Sequence, residues 1–271
     1  MSRAVEIDIE VYRKVACYAA EEAGKILMNG LKKRVSIEYK GRIDLVTNVD
    51  KESQECILSI LQNHFPNHDY LAEEEENHQT NNSEFLWVID PLDGTTNYSH
   101  GYNCFSISIA LLYNNEIILG IVYDPWSNEL FHALHEKGAY LNNAPIKVSE
   151  ESVLERSLLV TGFPYDIKES SITNLGLFNH LIMKAQAVRR DGSAALDLAY
   201  LAAGRFDGFW ELKLHPWDVA AGALIVREAG GIISDFAGNE FDIKSFDVLA
   251  TNEKIHKHMI RAISEIPRES W

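Results

Sequence analysis

The stretch Phe85-Leu86-Trp87-Val88-Ile89-Asp90-Pro91-Leu92-Asp93-Gly94-Thr95-Thr96 opens as an apolar run and ends in two carboxylates. Its aromatic and β-branched residues predict a buried strand that delivers Asp90 to its C-terminal end. Pro91 stiffens the exit, and Asp93 lies one turn further on. Two carboxylates this close, with no Lys or Arg beside them, repel each other unless a proton or cation sits between them. Hard oxygen ligands of this kind suit Mg²⁺. Gly94 and Thr95 follow with backbone N–H groups that hold a phosphate if a helix begins there. Either aspartate alone also fits an ordinary Asp-rich turn. The full string fits one poorly.

Outward from this stretch, the runs Phe105 to Leu112 and Ile117 to Tyr123 alternate as strands, joined by the turn pair Asn114-Asn115. Glu129 to Leu134 and Ala139 to Leu141 extend the meander. Upstream, residues 9 to 28 carry Val11, Val15 and Ile26 at helical intervals, and a second helix is expected from about Asn48 to Pro66. Val35 to Tyr39 reads as a strand, and Glu73 to Glu84 as a loop. Residues 1–150 thus read as an α+β subdomain, two helices against a largely antiparallel sheet.

Residues 151–271 change rhythm. Strand candidates at Leu158 to Thr161, Ala187 to Arg190, Gly208 to Trp210, Ile232 to Ser234 and Val248 to Ala250 alternate with helical stretches near 172–184, 194–203, 217–229 and 254–265. That alternation favours a layered α/β arrangement. No linker rich in Pro, Gly or Ser separates the halves, so they are expected to pack as one body.

Lys and Arg number 25 against 40 Asp and Glu, a formal charge of −15. Such a surface repels nucleic acid and anionic membranes, which bind through Lys and Arg. It also repels a phosphate ester, unless a bound cation inverts the local field. No apolar run approaches the ~20 residues of a membrane span. The first ten residues lack a signal-peptide layout, and a cytoplasmic protein is expected. Cys17, Cys56 and Cys104 form no C-x-x-C pair and read as structural thiols.

Two more segments carry acidic groups. One of Glu73-Glu74-Glu75-Glu76 can join a metal cluster, although most of such a run is ordinarily a solvated loop. In His215-Pro216-Trp217-Asp218-Val219-Ala220-Ala221-Gly222, Pro216 suits a first helical turn. Asp218 reads equally well as a ligand or as a favourable charge at a helix N-terminus.

Together these residues resemble the inositol monophosphatase family of metal-dependent, lithium-sensitive phosphatases. Trp87 through Tyr98 looks like its first signature and Trp217-Asp218-Val219-Ala220-Ala221-Gly222 like its second. Asp44-Leu45-Val46-Thr47-Asn48-Val49-Asp50, Gly192-Ser193-Ala194-Ala195 and Phe209-Trp210-Glu211 match in the right order. The resemblance implies a layered α-β-α-β-α fold. It also implies two to three Mg²⁺ ions held by Glu73, Asp90, the carbonyl of Leu92, Asp93 and Asp218. Glu73 is preferred to Glu74 because it directly follows Ala72, where the family usually has Gly-Glu.

The resemblance further gives Asp50 and Thr95, with Glu73, the task of orienting and deprotonating the attacking water. It places Asp93, Gly94, Thr95, Gly192, Ser193, Ala194, Glu211 and Asp218 against the substrate. The implied reaction is hydrolysis of an inositol monophosphate by direct attack of metal-activated water, in a homodimer. Fructose-1,6-bisphosphate, histidinol phosphate and 3′-phosphoadenosine phosphate are the alternative substrates, and a regulatory protein retaining the fold is the non-enzymatic alternative. Arg189 or Arg190 is expected near a phosphate, at an interface or simply at the surface.

Overall fold

In the computed structural model, which describes residues 9–36, 42–74 and 82–271 (backbone alone for 33–36 and 42–47), the run at Phe85 is the second strand of a seven-stranded sheet. Its strands follow chain order: β1 (Asp69–Ala72), β2 (Phe85–Asp93), β3 (Ser106–Tyr113), β4 (Glu116–Asp124), β5 (Glu129–Leu134), β6 (Ala139–Leu141) and β7 (Ala144–Pro145). Only β1 and β2 pair in parallel; the remaining pairs are antiparallel. Asn114 and Asn115 both take positive φ, the left-handed conformation a tight two-residue hairpin turn demands.

Helices α1 (Ile9–Ser36) and α2 (Arg42–His64) cover one face of this sheet. Leu27, Ile57, Leu61, Ile89 and Ile109 are among the fully buried residues there, each worth about 1.5–3 kcal/mol of burial. The second helix starts at Arg42 rather than near Asn48. A residue that favours helix starts is also tolerated within a helix, so Asn48 is a weak boundary signal. Val35 and Ser36 end α1, correcting the strand expected from Val35, and 37–41 lie outside the described residues. So do 75–81, most of the expected loop.

The second sheet has the order β11-β12-β10-β8-β9, built from β8 (Leu158–Thr161), β9 (Ala187–Arg189), β10 (Gly208–Leu212), β11 (Gly231–Ser234) and β12 (Asp247–Asn252). Between the sheets lie α5 (Ala194–Ala202) and α6 (Pro216–Glu228), and α4 (Leu175–Leu181) and α7 (His256–Ser264) cover the far face. The layers therefore run α-β-α-β-α, as the resemblance implies. Helix α6 is apolar nearly all round because sheets flank it on both sides. Gly120 on β4 admits it: a Cβ there would meet the Ala221 carbonyl oxygen at 2.5 Å. The remaining short helix, α3 (Thr95–His100), begins directly after β2.

Candidate active site

The geometry of β2 explains how two aspartates three positions apart share one site. Side chains on a strand alternate between faces, so positions 90 and 93 would point apart in a regular strand. Here Asp90 pairs with Ser108 and Asp93 with Ser106, so β2 spends three residues where β3 spends two. The extra residue is a bulge that brings Asp93 round to the side of Asp90. Pro91, which has no N–H for the ladder, falls inside it. The strand therefore runs on through Pro91 instead of ending at Asp90. Ser53 from α2 donates to the Pro91 carbonyl at 2.9 Å and pins the bulge from below.

Asp218 completes the cluster from the other half of the chain. One carboxylate oxygen each from Asp90, Asp93 and Asp218 lies within 4.8 Å of the others. Asp218 also accepts the backbone N–H of His215 at 2.7 Å. Asp218 thus caps α6 and at the same time faces the cluster. Glu73 arrives through the parallel pairing of β1 with β2. Ala72 sits opposite Ile89, the Glu73 N–H donates to the Ile89 carbonyl at 3.2 Å, and the Glu73 carboxyl hydrogen-bonds that of Asp90.

Asp93 joins the halves. Its Oδ2 accepts the Ser193 hydroxyl at 2.6 Å and the Ala195 N–H at 2.8 Å, at the start of α5. Asn97 makes a second tie, donating to the carbonyls of Cys104 and Asp191, each at 2.7 Å. Gly94 has φ 91°, and a Cβ there would meet the Cys104 carbonyl at 2.9 Å and that of Gly192 at 3.2 Å. Only glycine lets the chain turn from β2 into α3 against that segment.

The electrostatics of the cluster are uniform. Burial and then the charges of Glu73, Asp93 and Asp218 push the Asp90 carboxyl well above the usual range. Burial and then Asp93 do the same to Asp218. Desolvation raises Glu73 to about 7, with the Asp90 hydrogen bond opposing. Asp93 is raised by burial only to about 6, because Ser193 and the α5 amides oppose it. Asp50 is pushed up to about 8 by burial and by Glu74 and Glu73, and its buried Oδ1 has no hydrogen-bond partner among the described residues. Thr95 turns its hydroxyl to the Leu92 carbonyl at 3.0 Å. The donors are all oxygen, mostly anionic, and mutually repulsive, a set that fits a hard divalent cation.

Beside the cluster opens a cleft. Asp93, Gly94, Gly192, Ser193, Ala194, Glu211 and Asp218 line it, seven of the eight expected substrate contacts, and Thr96 stands there in place of Thr95. Glu211 is raised to about 8 by burial and by Asp218 and Asp93, with Arg190 opposing. Gly162 makes room for this carboxyl: a Cβ there would come within 2.0 Å of its Oε1. Arg190 enters the cleft and supplies the one cationic side chain of its lining among the described residues. Arg189 is exposed. Gly162, Phe163, Tyr165 and Leu214 also line the cleft; nothing in their local sequence marks them, because topology alone brings the segments after β8 and β10 there. His215 stacks on Trp217 at 4.8 Å and does not line the cleft. All three cysteines are free thiols, Cys104 buried and the others half-buried.

Known proteins share this arrangement. The model of the inositol monophosphatase family matches residues 8–268. The inositol-1-monophosphatase of Synechocystis sp. is 43% identical over 262 residues, spanning 96% of this chain and 91% of that protein. The Nus factor SuhB of Salmonella typhimurium is 41% identical over 248 residues, 91% of this chain and 93% of its own. The inositol monophosphatase structure from Anabaena (Nostoc) sp. superposes with a TM-score of 0.89 at 43% identity, covering 97% of this chain and 100% of that one. With its acidic cluster, its cleft and its layers accounted for, this chain belongs to the inositol monophosphatase family and is a phosphoric monoester hydrolase.

Proposed function

We propose that the chain hydrolyses myo-inositol monophosphate to inositol and phosphate, with Mg²⁺ held by Glu73, Asp90, the Leu92 carbonyl, Asp93 and Asp218. The convergence of Asp90, Asp93 and Asp218 within 4.8 Å, beside a cleft that Asp93 and Asp218 help to line, carries this reading. When bound, two to three Mg²⁺ ions would lower the pKa of a water and offset charge on the phosphate and the leaving oxygen. Asp50 and Thr95 orient that water and take up its proton: the Asp50 carboxyl is buried, its Oδ1 has no hydrogen-bond partner among the described residues, and it accepts the proton in its ionised form. Thr95 fixes the Leu92 carbonyl, and the first amides of α3, without helical partners of their own, face the phosphate.

Gly192, Ser193, Ala194, Glu211 and Asp218, with Asp93, position the ring hydroxyls. Residues 1–150 supply most of the metal ligands and 151–271 complete the substrate site as two subdomains. A homodimer accords with the exposed apolar Leu175, Ile182 and Met183 around α4. Lithium inhibition and a cytoplasmic location follow from the same family reading. Binding to nucleic acid is disfavoured by the charge of −15.

The relative called a Nus factor supports a second reading, a regulatory protein that keeps the fold. The complete carboxylate set favours catalysis. The test is phosphate release from a panel of monoesters with and without Mg²⁺. Inositol 1-phosphate should be turned over and chelation should stop it. Turnover of histidinol phosphate, fructose-1,6-bisphosphate or 3′-phosphoadenosine phosphate with none of inositol 1-phosphate would replace the substrate. Activity that survives chelation would remove the metal.

A further inference from the structure

Tyr165 is the anomaly of the cleft. It lines the same space as Asp93, Glu211 and Asp218, yet it is 90% exposed and makes no hydrogen bond or ring contact among the described residues. A large aromatic side chain ordinarily buries its ring, and a buried or half-buried phenol finds a partner. This one stands free, with its phenol in electrostatic reach of Asp93, Asp218, Glu73 and Asp90. Phe163 and Leu214 line the cleft with it. Together they form the apolar part of its lining.

The segment that carries Tyr165 is fastened. Lys213, one residue past the end of β10, reaches Asp166 with Nζ at 2.9 and 2.8 Å from its two oxygens, and Ser170 Oγ at 2.7 Å. Inside the loop, the N–H groups of Glu169 and Ser170 both donate to the Asp166 carbonyl at 2.9 Å. Lys213 has φ 60°, a left-handed backbone uncommon for a residue with a side chain. Strain of this kind persists where surrounding contacts enforce it. Here the Lys213 N–H donates to the Phe246 carbonyl at 2.7 Å, and the ammonium is aimed at the residue next to Tyr165. Glu211 lies two residues before Lys213 on β10, so the strand end that presents Glu211 to the substrate also holds the Tyr165 segment.

We propose that Tyr165 is a substrate-contacting residue that closes the apolar flank of the cleft over the alcohol portion of the monoester, held there by Lys213 through Asp166 and Ser170. The inference rests on the phosphatase reading of the cleft. A cyclitol ring presents its C–H faces as well as its hydroxyls, and an aromatic flank with a phenol at its tip meets both. The phosphate itself lies by Gly94 and the acidic cluster.

Steady-state kinetics of the full chain with Mg²⁺ test this. The substrate is inositol 1-phosphate, or the monoester turned over fastest if the wild type leaves inositol 1-phosphate untouched. That failure would count against the substrate reading alone, and the ratio of variant to wild type on the other ester would still decide Tyr165. Tyr165→Ala should raise KM about tenfold with kcat within about threefold, the pattern for lost binding shared by ground and transition states. Tyr165→Phe should recover most of that loss through its ring. Product inhibition by inorganic phosphate should stay unchanged in both. Asp166→Ala should raise KM about threefold, and adding it to Tyr165→Ala should cost nothing more, because both act through one contact. KM within about twofold of wild type in Tyr165→Ala overturns the contact. Effects that multiply in the double variant overturn the latch.

Discussion

Two buried polar networks lie on either side of Glu211, and they are built on opposite principles. In the first, Asn174, fully buried, donates to Thr161 Oγ1 at 2.9 Å and to the Gly162 carbonyl at 2.6 Å, and accepts the Trp210 indole N–H at 2.8 Å. Thr161 donates in turn to the Trp210 carbonyl at 2.5 Å. Every group is neutral and every group is paired. In the second, Glu73, Asp90, Asp93 and Asp218 crowd together; burial raises the pKa of each, and neighbouring carboxylates raise those of Glu73, Asp90 and Asp218 further. The first network stabilises the fold. The second opposes it, and is tolerated because a cation or a proton relieves it.

The sharpest way to break this contrast is to neutralise one member of the repulsive network. Asp93→Asn keeps an oxygen for the Ser193 hydroxyl and the Ala195 N–H but removes a charge. Hydrolysis should fall by at least about a thousandfold, roughly 4 kcal/mol of barrier. The melting temperature of the metal-free protein should hold or rise. Phosphate release and a thermal melt on the same preparation check both halves. A large loss of stability would show that the cluster is structural after all.

The satisfied network should respond in the opposite way. Asn174→Ala leaves the Trp210 indole N–H and the Gly162 carbonyl without their partners in a buried site, a loss of about 3 kcal/mol. That corresponds to a melting temperature lower by roughly 6–12 °C. Denaturant or thermal unfolding reads it directly. A melt unchanged from wild type would mean that water replaces the amide.

How much of this was legible in the sequence depends on the range of the signal. The strands, the hairpin at Asn114-Asn115 and the four C-terminal helices follow from periodicity and turn chemistry, which are local. The acidic cluster is legible through the family resemblance alone: from spacing Asp218 reads equally well as a helix-start charge, and nothing local announces the bulge that turns Asp93 towards Asp90. Strand β1 escapes because four residues, Asp69–Ala72, show no period until β2 lies beside them. The Asn174 network escapes for the same reason. It joins residues 13 and 36 positions apart, and nothing local marks Asn174 as a buried linchpin. Tyr165 looks like any loop aromatic until β8 and β10 place its segment over the cleft.

A third variant probes the boundary between the networks. Gly162 carries no side chain, and the space a Cβ would take there is the space that Glu211 fills. Gly162→Ala should displace that carboxyl while leaving the Asn174 bonds in place, since those use the Gly162 carbonyl. The expected result is a loss of about a hundredfold in kcat/KM, near 2.7 kcal/mol, with a melt close to wild type. A stable variant with full activity would mean that Glu211 does not touch substrate. An unstable one would mean that the two networks are mechanically one.

The smallest effect concerns the repulsion itself, read without any mutation. A carboxyl whose folded pKa is raised contributes stability that is fully present below its unfolded value near ~4, and loses it as pH rises through the folded value. Asp50 and Glu211 at about 8 and Glu73 at about 7 set that window in the metal-free protein. The buried histidines His68, His132 and His256 are lowered by burial, so their contribution is complete above about 6.5 and stays flat there. Between about pH 6.5 and 8.5 the chelated protein should therefore lose stability, read as a fall in melting temperature. On the proposed Mg²⁺ site, the ion takes the deprotonated cluster and should raise the melt more at pH 8.5 than at pH 6.5. Melts in parallel with chelator and with Mg²⁺ give the comparison. An equal Mg²⁺ shift at both ends would mean the carboxylates are already ionised at the lower pH, and the strain assigned to them is relieved by something other than a proton.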